Sequence, residues 1–295
     1  MRDLNEFTLT DAVLERVRNA PNPRIRQISE ALVRHLHAFI QEIEPTEAEW
    51  AAGIDFLTRT GQKCDDKRQE CILLSDTLGV SMLVDAINHR DPGGSTETTV
   101  LGPFYIDGPP ERELGEDISG GLPGTPLFVD GSVRSLNGAP LAGAVVDVWH
   151  SDEDGFYDLQ QLDRIGHFAG RARFRSDKNG RFHLWTIRPA PYPIPYDGPV
   201  GQMLKAQGRH PYRPAHVHFK IQALGQNTLI THVFAAGSEY IDSDVVFGVK
   251  DSIIREYVEC PAGTAPDGRK MDQPYAHLHY DFILKPNNTN IRSAS

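Results

Sequence analysis

Along residues 22–43 apolar side chains recur at Ile25, Ile28, Leu32, Leu36, Phe39 and Ile43. Steps of three and four place them in one stripe along a helix. Thr46 followed by Glu49 has the spacing of a capping box and predicts a second helix through TEAEWAAGIDFLTRTG. A further helix is expected across KRQECILLSDTLGVSMLVDAIN, stopped by HRDPGGSTETT with its proline and paired glycines. From about residue 125 the texture changes. PLFVDGSVRS, AVVDVWHSD, GRARFRSD and RFHLWTIR read as short strands, the last two joined by Asp177-Lys178-Asn179-Gly180, a hairpin signal. PAHVHFKIQAL and TLITHVFAA follow through Gly225-Gln226-Asn227, and HLHYDFILK reads as the final strand. A helix around VKDSIIREYVEC is expected to interrupt the sheets. The pattern predicts a mixed, mainly β chain: a helical domain over residues 1–95, then a sandwich or barrel over residues 96–295.

The remaining composition narrows the classes. A net charge of -10 over 295 residues argues against a nucleic-acid binder that tracks phosphates. No apolar run is long enough to span a bilayer, so membrane insertion is not expected. MRDLNEFTLTDAVLERV lacks the apolar core of a signal peptide. Cys64, Cys71 and Cys260 form no CxxC pair and suggest no disulfide framework. A reduced, cytoplasmic protein is the expectation.

The candidate chemistry begins in RPAHVHFK. His216 and His218 are two residues apart on an expected strand, so they share one face while Val217 and Phe219 share the other. A metal pair is one reading and chance placement among 12 histidines is the other. Three histidines, with His232 as the third, would suit zinc, and two with a carboxylate would suit ferrous iron. Two tyrosines add another donor type. Tyr157 lies in DEDGFYDLQ after a glycine turn, and Tyr192 lies in the proline-dense RPAPYPIPYDGPVG, where Tyr196 is a competitor. Phenolates are hard anionic donors suited to Fe(III), whereas the structural alternative for Tyr157 is a capping aromatic. His277 and His279 repeat the His-x-His spacing without the Arg-Pro lead-in and read as sheet surface or satisfied polar packing.

The chain resembles the intradiol ring-cleavage dioxygenases. The resemblance is carried by VDGSVRSLNGAPLAGAVVDVWHSDEDGFY, RPAPYPIPYDGPVG and RPAHVHF, and extends to TVLGPFY and the N-terminal helices. It implies a β-sandwich catalytic domain and an N-terminal α-helical linker domain that joins a homodimer, with a phospholipid at the interface as relatives often hold. It also implies one Fe(III) per subunit, held by Tyr157, Tyr192, His216 and His218. Tyr192, directly before Pro-Ile-Pro, is then the ligand with a second role as proton acceptor. Arg213, for which pattern alone leaves pairing with a surface carboxylate as the alternative, becomes by the resemblance the cation that stabilises charge on the substrate ring. The expected reaction is cleavage of an aromatic diol or triol by O2. YIDSDVVFGVKDS and Asp76 in LLSDTLG look like the hydroxyquinol-cleaving branch, giving maleylacetate; catechol or chlorocatechol is the alternative substrate. His232 departs from the glutamine that catechol-cleaving members usually carry, and is read as a group orienting a ligand or lining the pocket. By the same resemblance the substrate pocket comprises Leu73, Asp76, Gly102, Pro103, Phe104, Ile194, Pro195, Arg213 and Val246. A non-catalytic β-sandwich binding module is the reading from another class.

Overall fold

In the computed structural model, which describes residues 2–65, 68–90 and 93–287, the stripe at 25–43 lies on one helix. Helix α1 covers Leu9–Val17 and α2 covers Pro23–Ile43. The Asn22 side chain accepts hydrogen bonds from the backbone N–H of Arg24 and Ile25 at 2.9 and 3.1 Å, and Pro23 fills the first helical position. Helix α3, Glu47–Gln62, opens on the expected reciprocal cap. Glu49 N–H donates to Thr46 Oγ1 at 3.2 Å and Thr46 N–H to Glu49 Oε2 at 2.8 Å. The next stretch forms two helices instead of one, α4 (Glu70–Thr77) and α5 (Val80–Asn88). Between them Gly79 takes φ 73°, a left-handed turn that ends the first ladder. The chain divides into two compact units, up to Arg59 and from Thr60 onward. Among the described residues no helix is long and apolar enough to cross a membrane.

The second unit is a β-sandwich. Its strands are β1 (Pro126–Ser135), β2 (Val145–His150), β3 (Arg171–Arg175), β4 (Arg181–Ile187), β5 (Tyr192–Pro193), β6 (Tyr212–Arg213), β7 (His216–Gln222), β8 (Leu229–Ala235), β9 (Ile254–Arg255), β10 (Val258–Cys260), β11 (Gly263–Thr264), β12 (Lys270–Met271), β13 (Tyr275–His279) and β14 (Phe282–Leu284). The first sheet runs β10-β13-β1-β14 with β4 on the other edge of β1; the second runs β3-β2-β7-β8-β9. Between them pack Leu127, Val129, Val133, Val146, Val148, Phe174, Phe182, Leu184, Val217, Phe219, Ile221, Leu278 and Phe282. Two short helices, α6 (Leu162–Ile165) and α7 (Pro199–Ala206), lie in the loops.

The expected helix around VKDSIIREYVEC is not formed. Asp251–Ile253 makes a single 3₁₀ turn, after which β9 pairs in parallel with β8 and β10 pairs antiparallel with β13. Ile253 and Tyr257 sit four apart, as on a helix face, but both are buried in the sandwich core, Ile253 from the end of the 3₁₀ turn and Tyr257 from the link between β9 and β10. Tertiary pairing has overridden local periodicity here.

Candidate active site

Strand alternation places the histidines. On β7, Val217, Phe219 and Ile221 enter the sandwich core, and His216 and His218 project from the opposite face. Register then sets their neighbours: Trp149 on β2, His218 on β7 and His232 on β8 lie in one row across three strands. This face is roofed by a second apolar cluster. It contains Leu73 from α4, Val200 and Leu204 from α7, and Tyr157, Tyr192, Ile194, Val245 and Val246.

Two local devices bring the tyrosines in. Tyr192 and Arg213 face each other in the two-residue β5–β6 ladder, which fixes both relative to β7. Tyr157 ends a glycine turn at Gly155 (φ 84°), where a Cβ would stand 3.0 Å from Tyr192 Cβ. Only glycine lets the two tyrosine-bearing loops approach this closely. Tyr157 stacks on Phe104 with ring centroids 4.3 Å apart, and Trp149 stacks on His218 at 4.6 Å.

Tyr157, Tyr192, Arg213, His216, His218 and His232 are all at most 2 % exposed. Tyr157 Oη lies 2.9 Å from His218 Nε2, and His216 Nε2 lies 3.1 Å from the same atom. The Tyr192 ring is 5.1 Å from that of Tyr157 and 5.6 Å from that of His216. His216 Nδ1 donates to the Pro214 carbonyl at 2.7 Å. Burial, helped by the Arg213 charge, pushes the His216 pKa down to about 3, so the ring is neutral and its Nε2 carries a bare lone pair. His218 and His232 are likewise pushed down, His218 by burial and by its two imidazole neighbours, His232 by burial and then Arg213. Burial, then the neighbouring Tyr192, raises Tyr157 well above the ordinary phenol range. Tyr157 Oη and His216 Nε2 thus each stand about 3 Å from His218 Nε2, as donors to one ion do, and the Tyr157 phenol stays neutral unless a cation compensates it.

Two hard phenol oxygens with two imidazole nitrogens fit a hard trivalent cation such as Fe(III). The nitrogens of His216, His218 and His232 also lie within 4.8 Å of one another, so the imidazoles alone would suit zinc. The phenol 2.9 Å from His218 is the feature that a three-histidine set leaves unexplained.

Arg213 is held in a fork by Asp244, Nε to Oδ1 at 3.0 Å and Nη2 to Oδ2 at 3.1 Å. Its Nη1 lies 3.4 Å from His216 Nε2 and its Nη2 lies 3.5 Å from His232 Nδ1. Burial alone would weaken the cation, but Asp244 outweighs burial and raises its pKa. Asp244 is depressed because Arg213, together with the Gly248 N–H at 2.9 Å, outweighs its own burial.

The expected pocket residues are distributed as follows. Leu73, Ile194 and Val246 are buried in the roof cluster, and Phe104 packs against it. Gly102 lies close against the His218 ring. Pro103 and Pro195 are half-buried beside Phe104 and Ile194 in the chain. Asp76 is buried on α4, hydrogen-bonded to Ser81 and within electrostatic reach of Arg213. Tyr196 is 57 % exposed and stands outside the cluster. Sequence reasoning missed Asp244, Trp149 and Glu70. The last is fully buried, accepts from Val200 N–H at 3.1 Å, and ties α4 to α7. Asp244 lay within the quoted YIDSDVVFGVKDS, but nothing in the pattern linked it to an arginine 31 residues away.

Comparison with known proteins extends this geometry. Residues 100–286 match the family described as "Dioxygenase", and residues 22–96 match "Catechol dioxygenase N terminus". The chain is 50% identical over 286 residues to 6-chlorohydroxyquinol 1,2-dioxygenase of Cupriavidus pinatubonensis, covering 97% of this chain and 99% of that one. It is 47% identical to hydroxyquinol 1,2-dioxygenase of Nocardioides simplex, covering 95% and 96%. The solved structure of hydroxyquinol 1,2-dioxygenase from Pseudomonas putida DLL-E4 superposes with a TM-score of 0.89 at 50% identity, over 96% of this chain and 99% of that one.

Proposed function

The chain belongs to the intradiol ring-cleavage dioxygenases, and from that premise we propose that it opens benzene-1,2,4-triol (hydroxyquinol) with O2 between its adjacent hydroxyl-bearing carbons, giving maleylacetate. The observation that carries the reaction class is the approach of Tyr157 Oη and His216 Nε2 to His218 Nε2 in a buried pocket. The choice of triol is supported by buried Asp76 and by relatives named for hydroxyquinol over nearly the whole chain.

Tyr157, Tyr192, His216 and His218 would hold one Fe(III) per chain. When bound, that ion would supply a Lewis acid that favours the ionised diol and primes its ring for O2. The protein's own residues do the rest. Tyr157 is pinned by His218 and by its stack on Phe104, so it serves as the fixed donor. Tyr192, carried on a two-residue strand beside the proline loop, is the one to take the proton from an incoming hydroxyl at its Oη. Arg213, held in place by its fork with Asp244, offers a preorganised cation for charge developing on the ring. Asp76 accepts a hydrogen bond from the third hydroxyl. Leu73, Ile194, Val246 and Phe104 exclude water. His232, behind His218 and beside Arg213, positions both.

The protein acts as a homodimer joined through the helices of residues 1–95, with a phospholipid in the apolar interface, and works in the cytoplasm. The exposed stripe on α2 supports the dimer. The deciding experiment is oxygen uptake with hydroxyquinol, catechol and chlorocatechol, with metal measured on the same sample. The expected result is a wine-red protein with one iron per chain and highest kcat/KM on hydroxyquinol. A colourless zinc protein would overturn the class, and preference for catechol would overturn the substrate.

A further inference from the structure

A second cluster of metal-binding groups lies on the other sheet. His277 and His279 are alternate residues of β13 and so share a face. β1 runs beside β13 in parallel, with Asp130 opposite His279. His277 Nε2 and His279 Nδ1 each lie 2.8 Å from the same atom, Asp130 Oδ1. The three ligand atoms lie within 4.8 Å of one another. Phe128 packs its ring 5.2 Å from that of His277 and limits its swing.

His279 stands between two carboxylates: Asp130 Oδ1 is 2.8 Å from Nδ1, and Asp281 Oδ2 is 3.6 Å from Nε2. Asp281 is itself aimed, its Oδ1 accepting from Ser132 N–H at 2.9 Å and Ser132 Oγ at 2.6 Å. With a metal at Nδ1, the ring's other nitrogen faces Asp281, and histidine ligands commonly turn their second nitrogen to a carboxylate in this way.

We propose that Asp130, His277 and His279 form an accessory site for a divalent transition ion of the Zn(II) or Cu(II) class, with Asp281 orienting His279 and water completing the coordination. Imidazole with carboxylate suits these ions better than Ca(II) or Mg(II). The site bridges β1 and β13, which are adjacent in the sheet but about 150 residues apart in the chain. An ion bound there stabilises the folded state, since the unfolded chain does not hold the three groups together.

The test is calorimetric titration of the iron-loaded enzyme with Zn(II), with iron content measured before and after. The wild type is expected to bind one further Zn(II) per chain and to melt at higher temperature with it, with iron retained. H279Q, at an exposed side chain, and H277A/H279Q are expected to lose both effects and keep ring cleavage. D281N is expected to weaken binding about ten- to a hundredfold. Cu(II) should show two coupled nitrogens in its electron paramagnetic resonance spectrum in the wild type, a signal absent from H277A/H279Q. The proposal is overturned if the wild type takes up no saturable Zn(II), if H277A/H279Q binds it equally well, or if uptake is matched by loss of iron.

Discussion

A carboxylate kept out of water is costly unless something uses it. Asp76 is 4 % exposed, and burial raises its pKa although Ser81 and the Arg213 charge oppose the shift. An acid with a raised folded-state pKa binds its proton more readily when folded. Its ionised form therefore costs stability at neutral pH, and stability recovers as pH falls through the shifted pKa. D76N should accordingly melt at a higher temperature than the wild type, a trade of activity for stability. Its kcat/KM on hydroxyquinol should fall by about 1.5–3 kcal/mol, the value of a hydrogen bond to a charged group, or roughly ten- to a hundredfold, with catechol little changed. In the wild type the triol preference should fade on acidification, starting above the ordinary carboxylate range, and in D76N it should be flat with pH. Asp244 makes the opposite case. Its charge is matched by the Arg213 fork, and D244N leaves a buried cation without its partner. The expected cost in a denaturant melt is about 3–5 kcal/mol. A stable D244N protein would mean that Arg213 had found another counter-charge. RPAHVHF was legible because strand alternation puts both imidazoles on one face, whereas the tyrosines were legible only through the family resemblance, since pattern alone left Tyr157 as a capping aromatic and Tyr196 as a rival to Tyr192. Asp244 was not, because its role depends on a partner brought near only by folding.

At the scale of elements, the strands were legible and their interruptions were not. HLHYDFILK read as one strand, yet it forms β13 and β14 with a step at Tyr280 and Asp281. Strand β1 pairs with β13 through Leu127–Asp130 and with β14 through Val133–Ser135. Between these pairings Gly131 meets the step, and a Cβ there would stand 1.8 Å from the Tyr280 carbonyl oxygen. No rotamer relieves a backbone clash of that size. G131A should cost about 3 kcal/mol or more in a urea melt, through displacement of the β13–β14 crossing. A near-neutral G131A would show that the step can slide without loss. The cause of the misreading is physical. Alternation records which face a residue uses, but a change of partner strand leaves the alternation nearly intact. The same limit applied to VKDSIIREYVEC, whose four-residue apolar spacing serves sheet pairing as well as a helix.

For the whole molecule, a long apolar stripe is left exposed along α2. The helix has no buried residue; Leu32 is 63 % exposed and Phe39 53 %, with Ile25, Ile28, Leu36 and Ile43 on the same stripe. A continuous exposed stripe of this length marks an association surface in a soluble protein. A second copy is the partner that the family implies, and a self-complementary helix face can bury itself by two-fold symmetry. L32E/F39E places two charges in that seam. It should convert the proposed dimer to a monomer by light scattering, and any lipid recovered by solvent extraction of the wild type should be lost with it. The proposed pocket residues from Leu73 to Val246 all belong to the second compact unit. Iron content and kcat on hydroxyquinol should therefore survive the loss of the dimer. If the variant remains dimeric, the stripe is not the seam; if it loses iron along with the dimer, the pocket depends on assembly and the two units are not functionally separable.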